Sequence, residues 1–271
     1  MNYRNLLFIP FVLLLVSNGV PKLPKSIKKS YSFIPSGWSV VGKDTMTVQS
    51  FYMSNYEISN EQYKLYLDHI EKNGDKTAKE HSRIRNENWT THHNSSAMAE
   101  QYHSHPAYAK FPVVNVTYQG AQGYCVFLSS KLNELFHKSG VQVRVRLPFH
   151  AEIVRAGVGD NHGRLYPWVF GGVKDEKGNS LSNYKNSDSS LGEDLKAGHS
   201  DVLAAVSSYF ASPMGVFNLS GNAAEMTNLP GLAVGGSWRD AAQDVTLQSK
   251  VNYHDASCAV GFRVVFTWQA E

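Results

Sequence analysis

The sequence contains little cysteine, little net charge and few long apolar runs. Its two cysteines, Cys125 and Cys258, allow one disulfide in an exported protein or else remain two buried thiols. The formal net charge is only +3, and the basic residues are scattered except between Lys22 and Lys29. This distribution excludes the basic footprint of a nucleic-acid-binding protein, so we expect no nucleic-acid partner. The longest apolar run is residues 6–16, and no other segment could cross a membrane.

Residues 1–20 have the features of a secretory signal peptide. Arg4 supplies a positive charge, Leu6 to Val16 is an apolar run interrupted by Pro10, and Ser17 to Gly19 offers small residues for cleavage. The run is too short to span a bilayer comfortably, although an uncleaved segment would associate the protein with a membrane. In both cases we expect an exported protein, in the periplasm, the cell envelope or the extracellular space.

The remaining chain has the composition of a globular protein, with 42% hydrophobic and 18% charged residues. We predict a polar linker at residues 21–30. Ser59 and Gln62 form a capping-box pattern that predicts a helix ending near Gly74. Thr117 is expected to cap a second helix, which ends at Gly140. Short strands are expected at residues 31–34, 38–41, 48–53, 111–116 and 141–146.

A third helix is expected to open at Leu147-Pro148 and to end at Gly157. Its Glu152 is either a general acid or, as we favour, a carboxylate that ties the helix to a loop.

Residues 75–105 are polar and contain five histidines. A transition-metal site is one interpretation, but no pair of these histidines has the i, i+4 spacing with a nearby acid that is typical of zinc sites. We therefore predict a solvated loop inserted into the domain.

The segment from Gly215 to Thr227 is dense in glycine and asparagine and contains one acid, Glu225. Glycine lets backbone carbonyls turn inward, and a carboxylate, a side-chain amide and free carbonyls together suit a hard cation. Two further glycine motifs follow, Gly235 to Asp240 and Gly261 to Val265.

The order of these motifs is informative about family. The series runs Ile34-Pro35-x-Gly37, Tyr56-Glu57-Ile58-Ser59-Asn60-x-x-Tyr63, Pro112-Val113-Val114-x-Val116, Arg146-Leu147-Pro148-x-x-Ala151-Glu152, Tyr166-Pro167-Trp168, Gly215 to Thr227, Gly235-Gly236-Ser237-Trp238 and Gly261-Phe262-Arg263. Over residues 31–267 it resembles the formylglycine-generating enzyme family, also called sulfatase-modifying factors. The resemblance implies an α+β, C-type-lectin-like fold with few helices, short twisted strands and much irregular structure.

The resemblance also implies structural calcium. One calcium would be bound by the side chains of Asn218 and Glu225 and by the carbonyls of Gly221 and Ala223. A second would be bound by Asn183, Tyr184, Asp194 and the carbonyl near Lys196, at a spacing shorter than the family pattern.

The sequence departs from the family where its oxidases bind copper. The two cysteines expected after the Gly-Gly-Ser motif correspond to Asp240 and Val245. Neither supplies the thiolate that Cu(I) prefers, so copper is not expected.

Three functions remain open. The first is a non-catalytic binding or structural module of the cell envelope, with a secreted or envelope protein or an exported ligand as partner. Relatives without the cysteines include gliding-motility and type IX secretion components, which residues 102–114 resemble. Ligand-displaying variable domains of retroelement proteins share the fold as well.

The second function is a metal-dependent oxidoreductase or tailoring enzyme that uses other residues, with Ser237, Asp240 and His254 as candidates. Asp240 with His254 would form an acid–base or iron site, whereas Arg239 with Asp240 would form a loop-bracing pair. The third is formylglycine generation on sulfatases, which requires a copper dithiolate.

Overall fold

The structure is a computed structural model that describes residues 23–185 and 202–270. Its helices are α1 Lys25–Ser30, α2 Asn60–Asn73, α3 Lys76–Ser82, α4 Glu87–His93, α5 Ser96–Gln101, α6 Tyr118–Phe136 and α7 His150–Val158. Its strands are β1 Tyr31–Ile34, β2 Gly37–Val41, β3 Asp44–Val48, β4 Phe51–Ser54, β5 Val141–Arg146, β6 Ala224–Met226, β7 Leu232–Val234, β8 Lys250–Asn252, β9 Val260–Gly261 and β10 Val265–Ala270. Within these ranges no helix is long and apolar enough to cross a membrane. The predicted signal peptide lies outside the described residues.

Two four-stranded sheets and one hairpin organise the domain. The first sheet is antiparallel, in the order β1-β4-β10-β5, so the C-terminal strand lies between strands from much earlier in the chain. The second has the order β8-β7-β6-β9, and its β6 and β9 are parallel. The hairpin of β2 and β3 stands apart from both sheets and contacts α7.

Local sequence signals set the two longest helices. Ser59 accepts a hydrogen bond from the backbone of Gln62, whose side chain accepts one from the backbone of Ser59, as the capping-box prediction requires. Gly74 ends α2 in the left-handed conformation. Thr117 caps α6, and the chain leaves through a short 3-10 turn that closes at Gly140. These predictions are confirmed.

The third helix starts at His150, later than predicted, and ends at Gly159. Glu152 joins it to the preceding strand, since its carboxylate accepts hydrogen bonds from Arg146 at 2.6 and 2.7 Å. It also accepts one from the backbone of Phe149 at 2.8 Å. The prediction that Glu152 ties a helix to a loop is confirmed.

The prediction of a solvated loop over residues 75–105 is wrong, because three short helices occupy it. Asp75 and Ser95 cap two of them through their side chains. The segment also has its own buried anchors, Trp89 and Tyr102, which pack on Trp238 and Tyr108. These two aromatic side chains attach to the core a segment that is polar in composition.

Two further expectations need correction. The linker predicted at residues 21–30 contains helix α1, and Leu23 is buried in the main core. The strand predicted at residues 111–116 reduces to a single bridge at Pro112. Asn115 has a φ of 59°, which breaks an extended run.

Both cysteines are buried and unpaired. Cys125 lies in the core face of α6, and Cys258 lies in a separate cluster with Trp89 and Trp238. The disulfide alternative is therefore not realised.

Candidate functional site

The loop before β6 is built around inward-facing amides. Asn218 and Asn222 have φ values of 54° and 62°, and Gly221 has 78°. A Cβ at Gly221 would lie 2.3 Å from the carbonyl oxygen of Asn183, so only glycine allows this approach. The asparagines tolerate the left-handed conformation and place their side chains in the interior.

Both asparagine side chains bind Glu57, which lies between β4 and α2. Asn218 Nδ2 donates to Glu57 Oε2 at 2.9 Å, and Asn222 Nδ2 donates to Glu57 Oε1 at 2.7 Å. Each amide uses its other hydrogen on a backbone carbonyl, of Val206 and Ala204 respectively. Glu57 is fully buried and both of its oxygens have partners.

The other buried acid, Glu225, is bound by Arg263. The two side chains form a bidentate pair, with Arg263 Nε 2.5 Å from Glu225 Oε2 and Nη2 on Oε1. The pairing of Glu225 with Gly261 in β6 and β9 places Arg263 beside the carboxylate. The remaining guanidinium hydrogens go to the carbonyls of Ser54, Asn55 and Phe217. We call Glu57, Asn218, Asn222, Glu225 and Arg263 the buried network.

Burial raises the pKa of both acids in this network. It raises the pKa of Glu57 to about 7, although Arg263 and the two amides lower it and Glu225 raises it. Burial also raises the pKa of Glu225, and Arg263 opposes that shift. The network thus contains two acids and one guanidinium, and its charge state depends on Glu57.

The side chains of the first predicted calcium set already have hydrogen-bond partners, so they suit a calcium ion poorly. Both oxygens of Glu225 accept hydrogen bonds from Arg263, which already supplies the positive charge there. The Asn218 amide points its NH₂ at Glu57. Gly221 and Ala223 are buried in the same loop. The assignment to Asn218, Gly221, Ala223 and Glu225 stays a prediction.

The second predicted set contains one atom that suits a cation. Asn183 Oδ1 is buried and has no hydrogen-bond partner, while its Nδ2 donates to Val202 O at 2.6 Å and to Asn222 Oδ1 at 3.3 Å. Tyr184 is buried next to it. Asp194 and Lys196 lie outside the described residues. Among the residues that are described, no three His, Cys, Asp or Glu side chains form a metal-binding group.

The predicted catalytic candidates do not converge through any described contact. Asp240 Oδ2 accepts from the Ser237 backbone at 2.8 Å and from its hydroxyl at 2.7 Å, which closes a turn. His254 is exposed. The predicted loop-bracing pair of Arg239 and Asp240 is not among the described contacts. Arg239 Nη1 instead donates to Cys258 Sγ at 3.7 Å. Asp240 therefore braces its turn through Ser237.

Val245, the second position of the missing cysteine pair, is fully buried among Tyr166, Trp168 and Leu181. Gly236 allows the chain to return closely here, because a Cβ on it would lie 2.5 Å from Asp244 O. The turn is thus tightly packed around both positions.

Sequence reasoning missed a small aromatic cluster beside this turn. Trp238 Nε1 donates to Cys258 O at 3.1 Å, and the His93 ring lies edge-on to Trp238 at 4.7 Å between centroids. Burial raises the pKa of the Cys258 thiol more than Arg239 lowers it. A buried thiol with a raised pKa is a poor nucleophile. His93 stands among the polar histidines of residues 75–105, so no local pattern indicated this contact.

The roles of Glu57 and Arg263 were missed as well. Both stand inside motifs of the family pattern, at Tyr56-Glu57-Ile58 and Gly261-Phe262-Arg263, and that was the available signal.

Comparison with known proteins places these contacts in context. A family model described as the sulfatase-modifying factor enzyme 1-like domain, FGE-sulfatase, matches residues 20–268. A search of curated proteins found no match.

Three solved structures share the fold. CarF is 17% identical, with a TM-score of 0.59 over 87% of this chain and 97% of that chain. PvdO from Pseudomonas aeruginosa is 16% identical, with a TM-score of 0.59 over 87% of this chain and 93% of that chain. Treponema denticola variable protein 1 is 16% identical, with a TM-score of 0.56 over 87% of this chain and 94% of that chain. The predicted α+β, C-type-lectin-like fold is confirmed.

Proposed function

The chain belongs to the sulfatase-modifying factor enzyme 1-like family, and from that premise we propose that it is a non-catalytic member. Its role is that of an exported binding or structural module of the cell envelope. The fold alone does not specify a reaction, so the proposal depends on the residues at the site.

The supporting observation concerns the two positions that match the family's cysteine pair. Asp240 has its carboxylate engaged by Ser237, and Val245 is buried in an apolar cluster. The two thiols of the chain lie in different clusters, Cys125 in α6 and Cys258 beside Trp238. A copper dithiolate therefore has no pair of ligands at this turn.

Oxygen consumption tests this proposal. Purified wild-type protein is supplied with copper and a cysteine-containing sulfatase peptide, and Cys258→Ser serves as the matched control. We expect no peptide-dependent oxygen uptake by either protein. Uptake by the wild type that is lost in Cys258→Ser would overturn the proposal.

Structural calcium remains part of the proposal, at the second predicted set. Support comes from the unpartnered oxygen of Asn183, whose amide nitrogen is fixed by Val202 and Asn222. A cation that binds only the native state adds stability. Chelation of calcium should therefore lower the melting temperature of the wild type.

Two variants separate this effect from general destabilisation. Asn183→Ala should lose the shift caused by chelation, whereas Asn179→Ala, in an exposed turn, should keep it. A wild-type melting temperature that is the same with and without chelator would contradict the calcium proposal and leave the non-catalytic role standing.

Export is tested by cell fractionation. The full chain should accumulate in the envelope or outside the cell, and a chain that starts at residue 21 should stay in the cytosol. Equal distribution of the two chains would contradict export through residues 1–20.

A further inference from the structure

A cavity of about 410 Å³ opens between the β2–β3 hairpin and α7. None of its lining residues belongs to the turn at Ser237 to Asp240 or to the buried network. Its apolar wall consists of Val40, Val154, Val158 and Leu165. A volume of this size falls in the range of small-molecule sites in proteins.

Every charged side chain that lines the cavity is basic. Arg164 and Lys250 line it together with His162, and no acid does. In the described part of the chain, neither Arg164 nor Lys250 makes an ion pair or a side-chain hydrogen bond. The acid close to His162, Asp160, is already paired with Arg155 at 2.5 Å. Arg164 and Lys250 therefore have no acidic partner among the described residues.

His162 forms an aromatic part of the cavity wall. Its ring stacks on Trp38, with centroids 3.3 Å apart and planes 16° apart. Its Nδ1 is buried and has no hydrogen-bond partner. Trp38 itself does not line the cavity and remains 44% exposed, so it covers one face of the His162 ring.

The walls are held in place without a ligand. Gln248 donates to Val40 O at 2.9 Å and accepts from Gly42 N at 3.0 Å, which fixes the hairpin over the cavity. Preorganised walls reduce the entropy lost on binding.

From this geometry we propose that the cavity binds a small organic anion, a carboxylate or phosphate carried on an apolar body. Arg164 and Lys250 bind the anionic group beside His162, and the apolar body packs on Val154 and Leu165. The guanidinium fork matches both carboxylate and phosphate oxygens. This site extends the proposed binding role and is independent of the calcium proposal.

Calorimetric titration with defined probes tests the proposal. The probes are phenylacetate, phenyl phosphate, the neutral analogue 2-phenylethanol and inorganic phosphate. We expect at least one of the two aromatic anions to bind about tenfold more tightly than 2-phenylethanol, as expected for one charge-assisted hydrogen bond. The same aromatic anion should also bind more tightly than inorganic phosphate. Tighter binding of phenylacetate would identify the anionic group of the ligand as a carboxylate, and tighter binding of phenyl phosphate would identify it as a phosphate.

Matched variants locate the binding. Arg164→Gln and Lys250→Gln should each weaken the aromatic anion about tenfold, while Lys64→Gln, an exposed cation on α2, should leave it unchanged. Thermal melting of each variant checks that it is folded. Equal binding of the charged and neutral probes would overturn the proposal, and so would inorganic phosphate that binds as tightly as the tighter-binding aromatic anion. An equal effect of Lys64→Gln, or no binding at millimolar probe, would also overturn it.

Discussion

The buried network and the cavity beside α7 differ in whether their charged side chains have partners. In the network, Arg263 donates to Glu225 and to three carbonyls, and Glu57 accepts from two amides. In the cavity, Arg164 and Lys250 have no acidic partner in the described part of the chain. The charged groups of the network bind one another, whereas the cations of the cavity are available to bind a ligand.

This difference indicates that the network stabilises the fold and that the cavity is the better candidate for ligand binding. A buried charge that is fully paired stabilises one arrangement of the chain, because losing either partner leaves an unpaired charge in the interior. An unpaired cation at a cavity wall has no such structural role. The family motifs mark the first region strongly, yet the second is the better place to look for a ligand.

The largest effect is expected from breaking the network. Arg263→Met leaves Glu225 buried without its partner and should lower the free energy of unfolding by roughly 3–5 kcal/mol. Urea denaturation measures the change. Lys131→Met, which removes the exposed pair with Glu134, is the control and should cost at most about 1 kcal/mol. Equal losses in the two variants would mean that the network is not a stabilising centre.

A smaller effect is expected from the ionisation of Glu57. Burial raises its pKa to about 7 in the folded protein, from an ordinary value of 4.5. The native state therefore binds a proton more readily than the unfolded chain, and this contribution to stability is lost as pH rises through about 7. Glu57→Gln removes the ionisable group, but the amide nitrogen it introduces faces the Nδ2 donor of Asn218 or of Asn222.

The stability advantage of wild type over Glu57→Gln is complete only below pH 4.5 and should thus fall steadily between pH 5 and pH 8. Urea denaturation across this range measures it. A gap that grows with pH would mean that the ionised carboxylate is the favoured form.

The smallest effect concerns two histidines. His103 is half-buried, its Nε2 lies 3.1 Å from Val114 O, and desolvation of the ring lowers its pKa to about 3. Its ring resonances in NMR should not titrate between pH 5 and 8. They should also stay unchanged when phenylacetate or phenyl phosphate is added, whereas those of His162 should shift. Movement of the His103 resonances with either probe would mean that anion binding is not confined to the cavity.

Local chemistry made part of the fold predictable. The caps at Ser59 and Thr117 act within four residues, so α2 and α6 could be found from the sequence. The helices within residues 75–105 could not, since Trp89 is buried through contacts with distant residues such as Trp238. The placement of β10 between β4 and β5 also depends on pairing across most of the chain.

The same limit applies to the site. Asn218 and Glu225 were predicted as calcium ligands, and that assignment stays a prediction; the structure places Asn218 in the loop before β6 and Glu225 in β6. Their partners are distant in sequence: Glu57 is 161 residues from Asn218, and Arg263 is 38 residues from Glu225. The cavity at His162 combines a hairpin, a helix and two loops, and no motif joins them.

An amide-resolved NMR titration with the tighter of the two aromatic anions tests the central claim most directly. The account predicts that amide signals of His162, Gly163 and Arg164 shift on binding while those of Asn218 and Asn222 do not. Shifts centred on Asn218 and Asn222, or no shift at His162, would contradict it.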